Sequence, residues 1–375
     1  MMSWFIALFC LLECQNLLSL WRGWVLDLTD ETSDDYTIVV PVYGHPRYFE
    51  NGDYLWPIRE RALIAIEVGT PIMEAFADRL ASSGWRVARV RLDQNVGPDT
   101  IVKAVLESGA VTTKWTVRMD ADTYATDDMG RAIAAADRVG ADMCSVKCFV
   151  ADPVTICERL QEVEYRMAML TRHFRPWMTS GACIIATTHA YLTTLKLHAL
   201  NFGTCGGDIE TGRIANHLAM RVRHIDFPVY TKVPGGWHSL FRQRQIWWAA
   251  GFRSSVVNFD TALRMPLFAL YFTGFVWLIW CWRANDVAQL ATVRFLPLLI
   301  VAYTAICFLS NWQVRNPWMI LFPYYSLVQV LLMPVTGAFW CLKYMIVNRV
   351  TGRFKFGFRK GRYSPPLYEA DRVPA

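Results

Sequence analysis

Between Tyr36 and Val233, apolar runs of strand length alternate with stretches of helix length. That alternation limits the possible folds more than any composition does. Tyr36-Thr37-Ile38-Val39-Val40 reads as a buried strand ending at Pro41, and Ala62 to Ile66 as a second that runs into Glu67-Val68-Gly69-Thr70. A helix is predicted over Pro71 to Ser83 with Gly84 just beyond it, then a strand over Trp85 to Leu92. Asp99 to Ser108 is helical in pattern, Gly109 ends it, and Trp115 to Met119 forms the next strand. Strands joined through helices pair mainly in parallel, and ligands of such sheets collect at the carboxyl ends of the strands. Pro41, Glu67 and Asp120 all fall at such ends, so one pocket could gather them.

Asp120-Ala121-Asp122-Thr123 closes the fourth strand. Two carboxylates separated by one residue at a strand end can hold a hard divalent cation, Mn²⁺ or Mg²⁺, together with the diphosphate it neutralises. A solvated turn would look the same in isolation. The other carboxylates at strand and loop ends therefore carry the argument: Glu67, and Asp208 within Gly206-Gly207-Asp208-Ile209-Glu210-Thr211-Gly212 before a predicted helix. Asp208 in that setting also suits a helix cap.

The second half of the chain differs in character. Apolar residues make up 54% of the sequence and aromatic residues 14%, which points away from a purely soluble protein. Trp247, Trp248, Trp277, Trp280, Trp282, Trp312, Trp318 and Trp340 crowd the far half, and indoles concentrate where a bilayer meets water. Arg159 to Phe174 and Ser239 to Val257 read as amphipathic helices. Three apolar segments follow: Met265 to Trp282, Phe295 to Trp312, and Trp318 to Leu342. The first two have about the minimum length of a membrane span, while the third carries Pro323, Gln329, Pro334 and Gly337. Between Lys343 and Arg362 the charged residues are all basic. Such a run after an apolar segment marks a cytosolic membrane face rather than a nucleic-acid site. Two spans and an interfacial or re-entrant third segment keep the basic tail and the α/β domain on one side. The start of the chain, Met1 to Trp21, is apolar but broken by Glu13, Gln15 and Asn16; it reads as one span or an interfacial helix. The ten cysteines lack zinc or C-x-x-C spacing and read as reduced, buried thiols.

The predicted organisation is a membrane or interfacial helix over 1–30, a cytosolic α/β domain over 36–238, an interfacial helix over 239–264, transmembrane and interfacial helices over 265–348, and a basic cytosolic tail over 349–375. Three motifs follow the paired aspartates in order. They are Thr179-Ser180-Gly181-Ala182, the segment around Asp208, and Arg242-Gln243-Arg244-Gln245-Ile246-Trp247-Trp248-Ala249-Ala250-Gly251. This ordered set resembles the membrane-bound family 2 glycosyltransferases, which include the hyaluronan, cellulose and chitin-type synthases. The resemblance covers roughly Tyr36 to Arg353.

The resemblance implies a GT-A-type nucleotide-sugar-binding domain with a mainly parallel sheet, joined to interfacial and transmembrane α-helices. Residue by residue, Pro41-Val42-Tyr43 is similar to the loop that cups the nucleotide base, and Glu67 to the acid that contacts base or ribose. Asp120 and Asp122 would meet the donor diphosphate, with Asp122 as the metal ligand. Ser180, Gly181, Gln245 and Trp248 would line the acceptor, Asp208 would be the catalytic base, and Arg353 would approach the phosphates. The departures are that Gly207 replaces the carboxylate that usually precedes the base, the Arg of the late motif is missing, Pro98 replaces a Lys, and the closing loop near Arg353 lacks its Trp. The implied reaction is inverting transfer of a sugar from a UDP-sugar onto a growing saccharide at the cytosolic face. Asp208 would deprotonate the acceptor hydroxyl while a cation disperses charge on the leaving diphosphate. One-step transfer of a single sugar to a lipid or lipid-phosphate acceptor is the enzymatic rival. A membrane scaffold or transporter is the non-enzymatic one. Nucleic acid is not an expected partner.

Overall fold

The computed structural model describes residues 22–92, 97–198, 207–257, 296–310 and 316–343, together with 280 and 283. Among the described residues nine strands form one sheet: β1 Val25–Leu26, β2 Tyr36–Val42, β3 Ala62–Glu67, β4 Arg86–Val90, β5 Trp115–Met119, β6 Thr123–Ala125, β7 Met143–Val150, β8 Cys183–Thr187 and β9 Val222–Thr231. Their order is β1-β9-β7-β8-β5-β2-β3-β4, with β6 paired to β9 off this path. Pairing is parallel for β1/β9, β2/β3, β2/β5, β3/β4 and β7/β9. It is antiparallel for β5/β8, β7/β8 and β6/β9. The sheet is therefore mixed and mostly parallel. After β2 the chain moves outward to β3 and β4, then returns to the other side of β2 as β5. That reversal opens a crevice at the carboxyl ends of β2 and β5.

Helices cover both faces. Helix α1 (Pro71–Ser82) and α3 (Met129–Arg138) pack on one face, against Ile38, Val40, Ile64, Ile66, Val117 and Met119. Helices α2 (Pro98–Glu107), α5 (Thr188–Leu197) and α6 (Gly207–His217) pack on the other, against Val39, Leu63 and Ala65. Local chemistry sets their starts. Thr70, Asp128 and Thr187 accept hydrogen bonds from the first-turn amides of α1, α3 and α5. Helix α4 (Ile156–Leu170) begins in a reciprocal capping box of Thr155 and Glu158. The predicted strands and helices of the α/β region match these elements to within a few residues at their ends. Pro41 differs from expectation. It lies inside β2, buried and opposite Ala65, rather than in a loop. Strand β2 leaves β5 after Val39 but stays with β3 to Val42, so the proline sits where its strand has one neighbour instead of two.

The later helices are α7 (Trp237–Val257), α8 (Leu296–Ser310) and α9 (Phe322–Leu342). They pack with α4 around Leu160, Val163, Leu240, Cys307, Met319 and Phe322. A buried polar triad ties them. The Arg244 guanidinium meets Glu164 Oε2 at 2.6 Å, and Tyr325 Oη donates to the same oxygen at 2.7 Å. Among the described residues no helix is long and apolar enough to cross a membrane. Of the segment Phe295 to Trp312, the described part is helix α8. The segment Trp318 to Leu342 opens with a 3₁₀ turn at Pro317–Leu321 before α9. Of the segment Met265 to Trp282, all but Trp280 lies outside the described residues, as do Met1 to Trp21 and the basic tail. The cysteines at 144, 148, 157, 183, 307 and 341 are unbridged and buried.

Replacing Arg244 with alanine leaves Glu164 and Tyr325 Oη without their cation in a largely buried setting. The expected loss is about 3 kcal/mol of unfolding free energy, against about 1 kcal/mol for Tyr325→Phe. Urea denaturation of the two variants checks the order. An Arg244→Ala chain as stable as wild type would mean that the triad does not hold α7 to α4.

Candidate active site

Alternation along β5 decides which residues reach the crevice. Trp115, Val117 and Met119 point to the α1/α3 face. Thr116 and Arg118 therefore point to the α2/α5/α6 face, and Asp120 continues that side past the strand end. Arg118 is 3% exposed. Its guanidinium donates to Asp120 Oδ1 at 2.7 Å and to the carbonyl of Gly181. The Gly181 N–H in turn donates to Asp208 Oδ2 at 2.8 Å, and Thr179 Oγ1 donates to the Asp208 carbonyl. One buried cation thus connects Asp120 of the aspartate pair with Asp208 through a single residue, Gly181. The residue expected as the base and the residues expected at the diphosphate share one cluster.

Asp208 is the second residue of α6, inside the first turn rather than at the cap. The helix comes close enough for these contacts because residue 212 is glycine. A Cβ there would lie 1.9 Å from the Trp177 carbonyl oxygen. Burial raises the Asp208 pKa above the usual carboxylate range. Arg118, the Ile209 N–H and Arg172 act to lower it, while Asp99 acts to raise it. Burial also pushes Asp120 up, to about 7. Arg118 opposes that rise, and the neighbouring carboxylates of Asp122, Asp99 and Asp208 add to it. The Asp120 side chain still keeps 37% of its surface open, so an ion can reach it.

Several residues that shape this turn escaped sequence reasoning. Asn51, which is 4% exposed, donates through Nδ2 to the carbonyls of Asp120 at 3.0 Å and Thr123 at 2.8 Å. The N–H groups of Glu50 and Asn51 bind the Ala121 carbonyl from the same side. Thr231 Oγ1, at the end of β9, donates to Asp122 Oδ1 at 3.2 Å. These partners are 69 to 109 residues away in sequence, and only the folded chain brings them together. The D-x-D spacing locates the turn but carries no sign of what clamps it.

The remaining expected residues lie as follows. Glu67 is the last residue of β3 and is buried; Tyr43 follows β2 and packs half-buried beside the α2/α5 face. Ser180 is buried, in an isolated bridge with Cys183. Gln245 is half-buried on α7. Trp248 is 5% exposed, edge-on to Phe241, with its carbonyl against Gly337 of α9. Trp247, by contrast, is 43% exposed, with the Arg244 guanidinium 4.0 Å from its ring centre. Arg353 lies outside the described residues.

Asp120 and Asp122 offer two hard oxygen donors. Among the described residues no three carboxylate, imidazole or thiol side chains converge as a metal-binding set. An ion held by the aspartate pair would therefore take further oxygens from its ligand, the arrangement Mg²⁺ adopts with nucleotide phosphates.

No family model matches the sequence, and no curated protein matches it. Solved structures do. The chain is similar to a mannosyltransferase from Pyrobaculum calidifontis solved with GDP-mannose and Mn²⁺, with 14% identity, a TM-score of 0.58, and coverage of 91% of this chain and 96% of that one. It also aligns with glucosyl-3-phosphoglycerate synthase from Mycobacterium tuberculosis (15% identity, 60% and 85% coverage, TM-score 0.35) and with S. aureus TarS (11%, 84% and 91%, TM-score 0.35). Those two alignments are too loose to bear on the fold. The first shows the GT-A-like fold, an α/β arrangement on a mixed, mostly parallel sheet.

A carboxyl whose pKa rises on folding favours the folded state most below its unfolded pKa, near 4. That advantage is lost as pH climbs towards 7. Asp120→Asn removes the titrating group, so the difference in melting temperature between variant and wild type should move in the variant's favour from pH 5 to pH 8. Mn²⁺ should close the gap at pH 8 by neutralising the wild-type carboxylate. A margin that is flat with pH, measured by differential scanning calorimetry, would contradict the charge crowding described for Asp120.

Proposed function

We propose that this chain is a metal-dependent, inverting glycosyltransferase that uses a nucleotide-diphosphate sugar. The observation that carries this reading is the shared cluster of Asp120, Arg118, Gly181 and Asp208. A cation site and a carboxylate of raised proton affinity then flank one cleft. The GT-A-like fold supports it, because the sheet's switch point falls at the same cleft.

In this mechanism Tyr43 and Glu67 border the nucleoside, and the Asp120–Asp122 turn meets the diphosphate. Asp122, with Asp120 beside it, would hold a divalent cation, Mn²⁺ or Mg²⁺, which would supply positive charge to the leaving group. The Asp208 carboxylate accepts the proton of the acceptor hydroxyl as that oxygen attacks the anomeric carbon from the face opposite the leaving group. A single displacement inverts the anomeric configuration. Gly181 holds Asp208 Oδ2 through its N–H and so fixes the direction in which the base faces. A pKa above the ordinary carboxylate range makes Asp208 a stronger base near neutral pH.

We assign the donor to the UDP-sugars and the acceptor to a growing saccharide, with the reaction at the cytosolic face of a cell membrane. The exposed aromatic side chains of Trp237, Phe241 and Trp247 along α7 support a membrane-surface setting. The alternative acceptor, a lipid or lipid phosphate receiving one sugar, has its own supporting observation. Trp248 is packed between Phe241 and α9, which leaves no open indole face there for a long sugar chain. Ser180 and Gln245 stay assigned to the acceptor side and Arg353 to the phosphates.

Purified protein incubated with UDP-, GDP- and dTDP-sugars and Mn²⁺ should release nucleoside diphosphate from one donor class. Asp208→Asn should lower turnover about a thousandfold and leave donor binding within about twofold. Wild-type kcat should fall on acidification as the base takes up its proton, with the limb nearer neutrality than an ordinary carboxylate gives. Radiolabelled product run on a gel separates a polymer from a single addition. Asp208→Asn at full turnover would remove this residue as the base, and release only from a GDP-sugar would overturn the UDP assignment.

A further inference from the structure

Asp99 is the second residue of α2, and it is 4% exposed. Its carboxylate lies directly against the backbone of Gly207. A Cβ built on Gly207 would stand 2.0 Å from Asp99 Oδ2. The side-chain site of the residue preceding Asp208 is thus already filled, by a carboxylate from a segment more than a hundred positions earlier. Among the described residues no donor reaches Asp99 Oδ1. A buried carboxylate with an unbonded oxygen is costly, and the apolar contacts of α2 come from Ile101, Val102, Val105 and Leu106 without it. The same corner holds His198, whose Cε1 is 3.5 Å from that Cβ position and whose Nε2 meets Thr211 Oγ1 of α6 at 2.8 Å. The charged and titratable groups that interact with it are Arg118 on β5, Asp120 beyond it, Tyr191 on α5 and Asp208 on α6.

We infer that Asp99 is a positioning residue for Asp208, a carboxylate delivered by α2 into the side-chain site of residue 207, where it seats the start of α6 and shares the charge of Arg118. The role rests on the transferase reading and adds a residue to it. Arg118 brings one positive charge to a corner where Asp208 must remain a free acceptor of a proton. Asp120 is the counter-ion in contact with Arg118, and Asp99 adds a negative charge that this guanidinium feels more strongly than that of Asp208. Glycine at 207 follows from this arrangement, because any side chain there evicts the Asp99 carboxylate. Asp99 and Gly207 are then two halves of one requirement.

The test uses the full chain with the donor that wild type turns over. Asp99→Asn should lower kcat about tenfold and leave the donor KM within about twofold, since the change spares the diphosphate turn. Gly207→Ala should cause a loss of similar size, and the double variant should be no worse than either single one. Returning the carboxylate by the other route, in Asp99→Ala with Gly207→Asp, should recover about tenfold over Asp99→Ala alone. A merely structural Asp99 would couple to residue 207 through packing but would give no recovery of kcat when the carboxylate is returned from position 207. Full kcat in Asp99→Asn, additivity, or failure of the exchange overturns the role. If wild type turns over a donor, Asp208→Asn is dead and Asp99→Asn is at full speed, the role alone falls and the transferase reading stands. A wild type that turns over no donor overturns both.

Discussion

A single buried guanidinium organises this molecule's cleft. Arg118 sits on the central strand, faces the α2/α5/α6 side, and is nearly out of reach of water. Removing that charge from water is costly, and only a set of fixed partners offsets the cost. They are the Asp120 carboxylate and the Gly181 carbonyl in direct contact, with Asp99 and Asp208 close enough to stabilise the charge further. The consequence is geometric as well as electrostatic. The turn that would meet a diphosphate and the turn that orients the candidate base are pinned to the same group, so neither can drift relative to the other. Rigid placement of this kind is what proton abstraction within a bound complex requires.

A second buried arginine performs a different task. Arg244 belongs to the late motif, and it lies against Glu164, Tyr325 and the ring of Trp247. Its partners are on α4 and α9, so it fastens the late helices to the α/β layer. The neighbouring tryptophans divide between two environments because consecutive residues on a helix point about 100° apart. Trp248 turns into the packing, and Trp247 turns out.

The sheet was legible in the sequence because its signals are local. Strand-length apolar runs end at Glu67 and Asp120, helices start at Thr70-Pro71 and near Pro98, and glycines stand where helices stop. The antiparallel placement of β8 beside β5 was not legible, since nothing in Cys183–Thr187 reports which neighbour it will choose. The same divide runs through the site. Asp120, Asp122 and Asp208 stand in recognisable contexts. Arg118 lies within a strand and reads as an ordinary interruption until the sheet's two faces are known. Asn51, Thr231 and Asp99 are ordinary polar residues whose roles come from contacts made across long loops. Apolar composition over Phe295 to Trp312 announces a helix, and α8 lies there, but composition alone does not fix where a helix ends.

The charges of the cleft give a reason for the cation that does not depend on any likeness to other proteins. Asp99, Asp120, Asp122 and Asp208 face Arg118 and Arg172, so full ionisation would leave an excess of negative charge in a site largely shielded from water. Burial is the main reason that the pKa of Asp120 rises to about 7 despite the arginine beside it, and the neighbouring carboxylates add to the rise. A nucleoside diphosphate entering the cleft adds charge of the same sign, so it binds only if positive charge arrives with it or has arrived before it. Asp120 and Asp122 are the residues that would hold a divalent ion, whose charge would meet that demand and favour the ionised form of Asp120. Asp208 is bonded to the Gly181 N–H rather than to Arg118, and in the proposed reaction it would remain available to the acceptor hydroxyl. Separation of the two carboxylate functions by one residue, Gly181, would then let a single crowded cleft serve both an anion and a base.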